Sequence, residues 1–194
     1  MAPWVGPSYN IQPFGGVRLM VLGESEYEWE PGCLTPDIAS KLISQIANGE
    51  WTHKFYSNIF RVLTGISRRD AGPSAYKDFW YSISFYNFVQ DSVGTRPRCR
   101  PTGKMWNNGL KYLEPVLLDL SPRGILVLGK ELWEYLGSFG VANASLDGNW
   151  TMSTAGVGPI PVTHIFHPSS SRYKYSVWRP GVENWLSFLK RNGV

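Results

Sequence analysis

The chain has 194 residues, of which 43% are hydrophobic and 14% aromatic, and its 19 basic and 15 acidic residues leave a net charge of +4. This composition is typical of one globular domain over residues 1–194 and excludes a disordered chain. Two cysteines, Cys33 and Cys99, are too few for a four-cysteine zinc or iron–sulfur site, so we expect neither a metal nor another cofactor.

No apolar run approaches the length of a membrane span, and the first residues lack the basic and apolar regions of a signal peptide. The sequence therefore predicts a cytoplasmic protein without a membrane partner, and we expect a monomer. The small positive charge permits a polyanionic partner without requiring one.

In the first half of the chain, two predicted strands flank two predicted helices. Val17–Leu22 is a short apolar run that predicts a buried strand. Residues 36–46 open with Pro-Asp and carry apolar side chains on one helical face, and Phe55–Leu63 predicts a second helix. Trp80–Phe88 is aromatic and alternating, so we predict the second strand there.

The second half alternates regularly. Apolar residues at helical spacing predict a helix over residues 106–117, and Ile125–Leu128 predicts the third strand. Lys130–Leu136 follows as a predicted helix, and Ile160–Phe166 predicts the fourth strand. A closing amphipathic helix is predicted around residues 182–189.

Strands that alternate with helices predict an α/β fold, here a three-layer α/β/α sandwich with a central, mostly parallel four-stranded sheet. Ligands of such folds bind beyond the carboxyl ends of the strands. Four polar stretches follow the predicted strands and should meet at that edge. They are GESEY at 23–27, NFVQD at 87–91, GKE at 129–131 and HPSSS at 167–171.

The ordered set of these motifs resembles the uracil-DNA glycosylase superfamily. That family carries a GQDPY-like or GEAPG-like first motif, an asparagine after its second strand and a late HPS motif, which match residues 23–27, Asn87 and residues 167–169. Three further stretches are similar to regions of the family, namely 57–63, 87–102 and 125–136. The likeness spans about residues 16–185, nearly the whole chain.

The resemblance implies an enzyme of base excision repair. Such a DNA glycosylase flips uracil, and in some branches another deaminated base, out of the strand and hydrolyses its N-glycosidic bond to leave an abasic site. Xanthine and hypoxanthine share a carbonyl and N–H edge with uracil and stay open as substrates.

Two side chains carry the chemistry of this reaction. His167 is expected to donate to uracil O2 and stabilise the departing anion, whereas His164, inside a strand, is expected to be structural. The amide of Asn87 can accept from N3–H and donate to O4, while cytosine presents the reverse pattern. Taken alone, Asn87 would be a turn residue that ends a strand.

The resemblance assigns further residues to the base pocket. Tyr27 stands where the family has the tyrosine that blocks the thymine methyl, and Gly23 and Ser169 belong to the flanking motifs. An aromatic ring should stack on the flipped base, and Phe55 is our choice, with His53 and Trp29 as alternatives.

The residues around the HPS motif at 167–169 are expected to contact DNA phosphates. Small hydroxyls and backbone N–H groups let a phosphate come close, and two local basic clusters supply charge. The predicted DNA-binding residues are Ser170, Ser171, Arg172, Lys174, Arg98 and Arg100.

The chain departs from the family at the water-activating aspartate, where it has Ser25. A serine hydroxyl can hold a water but is a poor base, so Glu24, Glu26 or Asp91 are candidates for the electrostatic partner. We rank Glu24 above Glu26, because Glu24 stands where the family has its backbone-anchoring Gln or Glu. The predicted catalytic residues are His167, Ser25 and Glu24.

A second departure affects the late loop, where the family has a leucine wedge. This chain has Ser171 or Arg172 in that slot, and a missing apolar wedge should weaken action on duplexes most. We therefore expect a preference for single-stranded DNA.

Alternatives to a glycosylase remain open. Because Ser25 replaces the carboxylate, the chain could be a non-turnover module that binds uracil or a damaged base and traps DNA covalently through His167. Ser171-Arg-Tyr-Lys174 matches the Ser-x-x-Lys pattern of acyl-transfer enzymes but lacks their companion motifs. A nucleotide-binding regulator is disfavoured by the lack of a GxGxxG or Walker pattern.

Overall fold

The computed structural model describes residues 1–28, 30, 32–96, 99–144 and 150–192. Within them lie six α-helices and a seven-stranded sheet. The helices are α1 (Ile38–Ala47), α2 (Lys54–Thr64), α3 (Arg68–Tyr81), α4 (Gly103–Leu120), α5 (Lys130–Ser138) and α6 (Tyr175–Arg191). The strands are β1 (Trp4–Val5), β2 (Leu19–Gly23), β3 (Ser84–Asn87), β4 (Gly124–Leu128), β5 (Ala142–Ala144), β6 (Trp150–Met152) and β7 (Ile160–Ile165). Among the helices described, none has the length and apolar character needed to cross a membrane.

The sheet has a parallel centre and antiparallel margins. Its strand order is β1-β3-β2-β4-β7-β6-β5, and the four inner strands, β3, β2, β4 and β7, run parallel to their neighbours. β1, β6 and β5 pair antiparallel. The α/β prediction is confirmed, but the predicted strand count of four is wrong, because strands of two or three residues are too short to show a period in sequence.

The two middle strands are apolar throughout because helices cover both faces of the sheet. Alternate residues of β2 and β4 point into two separate cores. Leu19 and Val21 join the core formed with α1, α2, α3 and α6, whereas Met20 and Leu22 join the core formed with α4 and α5. Fully burying one such side chain contributes about 1.5–3 kcal/mol, so these strands anchor both layers.

The predicted strand over Trp80–Phe88 is partly wrong. Trp80 and Tyr81 end helix α3, and the strand begins only at Ser84. α3 is interrupted at Gly72, which has a φ of 74° and is followed by Pro73, so its sequence lacks a clean helical period. Large aromatic residues fill a core equally well from a helix or a strand, which is why the aromatic run misled the prediction.

Helix α6 is attached to the end of α2, and this attachment positions the loop after β7. The Arg179 guanidinium donates to the carbonyls of Val62 and Leu63, both at 2.9 Å, and so satisfies the C-terminus of α2. The Arg61 guanidinium lies 4.2 Å from the centre of the Tyr175 ring. These contacts fix the position of α6 and therefore the C-terminal end of the loop that follows β7.

Two helical glycines should respond in opposite directions to alanine. A Cβ at Gly109 in α4 would lie 2.6 Å from Cδ1 and 2.8 Å from the carbonyl oxygen of Phe88, whereas nothing lies within 4 Å of one at Gly181 in α6. We expect Gly109→Ala to lower the free energy of unfolding by about 1–3 kcal/mol through overpacking. Gly181→Ala should raise it by about 0.5–1 kcal/mol. Urea unfolding followed by circular dichroism measures both, and shifts of the same sign would contradict the packing described.

Candidate functional site

The four polar stretches that follow the inner strands lie at one edge of the sheet. Since β3, β2, β4 and β7 are parallel, their carboxyl ends coincide there. Pairing continues past the strand ends, with Phe88 N–H donating to the Gly23 carbonyl at 2.9 Å and Val89 N–H to the Glu24 carbonyl at 2.8 Å. On the other side, Gly129 N–H donates to the Ile165 carbonyl at 2.9 Å. The segments that bear the predicted residues are thus aligned by backbone hydrogen bonds.

The two middle strands end in glycines. β2 ends at Gly23 and β4 is followed by Gly129, and both glycines are buried. They separate Asn87, which ends β3, from His167, which follows β7. Three spacings of about 4.8 Å place the outer strands roughly 14 Å apart. Neither glycine adds a side chain of its own, and both lie at the point where the strand order reverses and open α/β sheets bind ligands.

Asn87 is fixed by direct packing on the neighbouring strand. It is 6% exposed and pairs in register with Gly23. A Cβ at position 23 would overlap Asn87 Oδ1 and lie 3.1 Å from Phe85 Cζ. Only glycine fits beside this amide, so the first motif and Asn87 form one structural unit.

His167 is exposed beyond the end of β7 and is oriented by its own loop. Ser169 N–H donates to His167 Nδ1 at 3.3 Å, so the neutral ring carries its proton on Nε2. Part of the side chain faces solvent, and desolvation of the rest together with the nearby charges of Arg100 and His53 lowers the pKa of His167. An imidazole with an ordinary pKa near 6.5 is already mostly neutral at pH 7, and a lowered pKa makes the neutral form of His167 more dominant still.

Phe55 connects the two sides of the site. Its ring centre lies 5.1 Å from that of His167 at an interplanar angle of 38°, and 6.2 Å from that of Phe85 at 83°. His53 caps α2, with its Nδ1 accepting from Phe55 N–H at 3.3 Å. Trp29, the other predicted stacking residue, lies outside the described residues. The structure therefore brings Phe55 to the imidazole, as stacking on a base would require.

Glu24 is paired with a cation. Arg100 donates to Glu24 at 2.8 Å and also forms an ion pair with Glu131. The Glu24 side chain is only 10% exposed, and burial raises its pKa while Arg100 opposes that rise. The Ser25 hydroxyl also bonds to this carboxylate. Arg100, predicted to bind DNA, is thus shared between two carboxylates of its own chain.

Glu26 is the acidic group of the first motif that lacks a cation. Its carboxylate accepts from Tyr27 N–H at 3.3 Å and interacts with the Asn87 amide, and no Lys, Arg or His of the described residues forms an ion pair with it. Burial raises its pKa, and its charge also raises the pKa of buried Tyr56. Sequence reasoning ranked Glu24 above Glu26 by its place in the family motif, and the pairing of Glu24 with a residue 76 positions away is not visible in sequence.

Tyr27 lies beside this carboxylate and is half-buried, packed against the core of α4 and α5. Asp91, a further candidate for the electrostatic partner, is exposed.

The HPSSS loop is anchored to α2. Asn58 Nδ2 donates to the Pro168 carbonyl at 2.7 Å, a contact that sequence reasoning missed. The Ser170 hydroxyl accepts from Arg172 N–H at 3.1 Å, so it belongs to the turn. Ser169, Ser171, Arg172 and Lys174 are exposed, and in the chain as described neither basic residue forms an ion pair. Arg98 lies outside the described residues.

His164 has a structural environment. Its ring stacks on Trp133 at 4.4 Å and 10° and lies 5.4 Å from the ring centre of Trp178. Within the described ranges no group of three or more His, Cys, Asp and Glu is placed to hold a metal, and Cys33 and Cys99 are free thiols.

Comparison with protein-family models gave no match, and comparison with curated proteins gave none either.

Removing the cation from the Glu24 pair should destabilise the protein in a pH-dependent way. Arg100→Met leaves a largely buried carboxylate without its partner, which costs about 1–3 kcal/mol near neutral pH. Because the change raises the pKa of Glu24 further, the loss should shrink as acid protonates Glu24 in both proteins. Urea unfolding at pH 7 and pH 4 measures this, with Lys41→Met as the control, since Lys41 and Asp37 form an exposed pair. A loss that is equal at both pH values would contradict this account.

Proposed function

We propose that the chain is a DNA glycosylase that hydrolyses the N-glycosidic bond of uracil and leaves an abasic site. One observation carries the proposal. A buried amide, Asn87, and a neutral imidazole with its proton on Nε2, His167, stand on the outer two of four parallel strands, with two glycines between them. This arrangement matches the needs of a flipped pyrimidine with an N–H and two carbonyl oxygens.

Base selection belongs to Asn87. An amide can pair with both the N3–H donor and the O4 acceptor of uracil, and the wrong base would leave buried polar groups unpaired at about 1–3 kcal/mol each. Packing on Gly23 holds this amide in place before the base arrives. Xanthine and hypoxanthine belong in the same assay panel.

Leaving-group stabilisation belongs to His167. Negative charge builds on uracil O2 as the bond to the sugar breaks, and Nε2–H is a donor aimed by the Ser169 hydrogen bond. A neutral donor suits this step, because it gains strength as the charge develops without needing to be protonated first. The same tautomer argues against covalent trapping, since the Nε2 lone pair that would attack the sugar is occupied by the proton.

The positive sugar requires a negative group, and Glu26 fits this role better than Glu24. Glu24 is paired with Arg100, which it shares with Glu131, whereas Glu26 has no cationic partner among the described residues. A carboxylate whose pKa is raised is also a better base for water than an ordinary one. In this proposal Ser25 holds the water.

DNA contacts are assigned to the exposed residues of the late loop, Ser169, Ser171, Arg172 and Lys174. The wedge slot holds serine or arginine instead of leucine, so duplex DNA is held open less well. We therefore propose single-stranded uracil-DNA as the preferred substrate.

Base release should depend far more on His167 than on Ser25. Removing one donor to a developing oxyanion lowers the rate about 10²–10³-fold. The rate of uracil release should therefore fall by that factor in His167→Ala and by less than about tenfold in Ser25→Ala. The assay is release of free uracil from single- and double-stranded oligonucleotides. His164→Phe, which keeps a ring on Trp133, is the matched control and should retain activity. Equal small losses for His167→Ala and Ser25→Ala, or faster release from duplex, would count against the assignment, and a denaturant-stable DNA adduct would instead indicate a trap.

The pH dependence of uracil release should reflect the ionisation of Glu26. Because burial raises its pKa above the usual 4.5, activity that needs the ionised carboxylate should fall as pH decreases through that higher pKa. Glu26→Gln should lower the plateau rate and remove this acid limb, whereas Glu50→Gln, an exposed change in the loop after α1, should leave both unchanged. The measurement is the rate of uracil release from pH 4 to 9, and an acid limb that persists in Glu26→Gln would refute this role.

A further inference from the structure

An aromatic pair stands on the surface just before α2. Trp51 and His53 stack with their ring centres 5.4 Å apart at an interplanar angle of 26°, and both are exposed, Trp51 at 40%. The Trp51 ring also meets buried Tyr56 edge-on at 6.1 Å. An exposed ring fixed in this way keeps its orientation and loses little freedom when a ligand stacks on it.

This pair continues into the proposed base pocket. His53 accepts from Phe55 N–H, and the Phe55 ring lies 5.1 Å from His167. His53 is also close enough for its charge to act on His167. Ring contacts thus run from Trp51 and His53 at the surface through buried Tyr56, which lies 6.3 Å from His53 and 5.1 Å from Phe55, to Phe55 and the imidazole.

We propose that Trp51 and His53 form a stacking subsite for the nucleobase next to the extruded one in single-stranded DNA. The proposal rests on the proposed function, which places the extruded base at Phe55 and His167. Every base offers a π-face to an aromatic ring, so such a subsite adds affinity without sequence preference. Exposed Lys54 follows directly and supplies charge for the adjoining phosphate.

The subsite also explains how single-stranded DNA can be bound without the leucine wedge. A wedge fills the gap in a duplex, whereas an external stacking platform needs an unpaired neighbour whose face is free. Stacking on Trp51 therefore favours the single strand over the duplex.

Trp150 provides a matched control. It is 41% exposed, almost the same as Trp51, but lies on β6 and meets Trp133 edge-on at 4.9 Å and 68°. It belongs to the antiparallel margin of the sheet and is not part of these ring contacts.

Binding of a labelled, uracil-free single-stranded oligonucleotide, measured by fluorescence anisotropy, tests the subsite without any chemistry. Stacking is worth about 1–3 kcal/mol per base, so Trp51→Ala should weaken binding about 5- to 150-fold. Trp51→Phe should keep most of the affinity, and Trp150→Ala should match wild type. Equal binding by Trp51→Ala and wild type, equal losses for both alanine variants, or no binding by wild type would overturn the proposal. Urea unfolding of each variant excludes misfolding as the cause.

A second measurement locates the base. Uracil oligonucleotides that lack the base on the 5′ or the 3′ side of uracil are compared for kcat/KM with wild type and Trp51→Ala. The loss caused by Trp51→Ala should disappear on one of these substrates, because the base that Trp51 contacts is already missing there. A loss that persists on both overturns the subsite while uracil release stands. If the wild-type protein releases no uracil but still binds single strands through Trp51, the proposed function is overturned and the stacking subsite is not.

Discussion

The close packing of Gly23 on the Asn87 amide is the constraint on which the rest of the site depends. Parallel pairing of β2 and β3 sets these two residues side by side, and no atom larger than hydrogen fits between them. The amide oxygen is therefore packed against the backbone of β2, and the amide also interacts with the Glu26 carboxylate. A polar group held in this way is ordered before any ligand binds, which lowers the entropic cost of binding.

The carboxylates near this amide are of two kinds, one in an ion pair and one without a cation. Arg100 forms ion pairs with both Glu24 and Glu131 and so connects the segment after β3 to the segment after β2 and to the first turn of α5. Glu26, two residues from Glu24, keeps its charge without compensation by a cation in the described chain. A carboxylate in an ion pair stabilises the fold. A half-buried carboxylate without a cation raises the energy of the empty site, and a positive charge placed beside it lowers that energy. Carboxyl groups with a perturbed pKa cluster at functional sites.

Much of this could be predicted from the sequence. The inner strands are apolar because both of their faces are covered, so β2, β4 and β7 stood out as short apolar runs, and α2, α4 and α5 followed from their helical spacing. Parallel strands have coincident carboxyl ends, which is why Asn87 and His167 could be expected at one edge from sequence order alone. Aromatic residues carry no such period, so helix α3 was not predicted and its last residues, Trp80 and Tyr81, were assigned to the strand.

The sequence alone therefore determined the layers, the parallel centre and the edge where polar groups gather, since these follow from periodicity and local composition. Only the tertiary structure decided which acidic residue is paired, which nitrogen of His167 carries the proton and which aromatic ring meets the imidazole. It also added the short antiparallel strands β1, β5 and β6. These features depend on contacts between residues far apart in the chain, such as Arg100 with Glu24 and Asn58 with Pro168, and contact across such separations leaves no local pattern to detect.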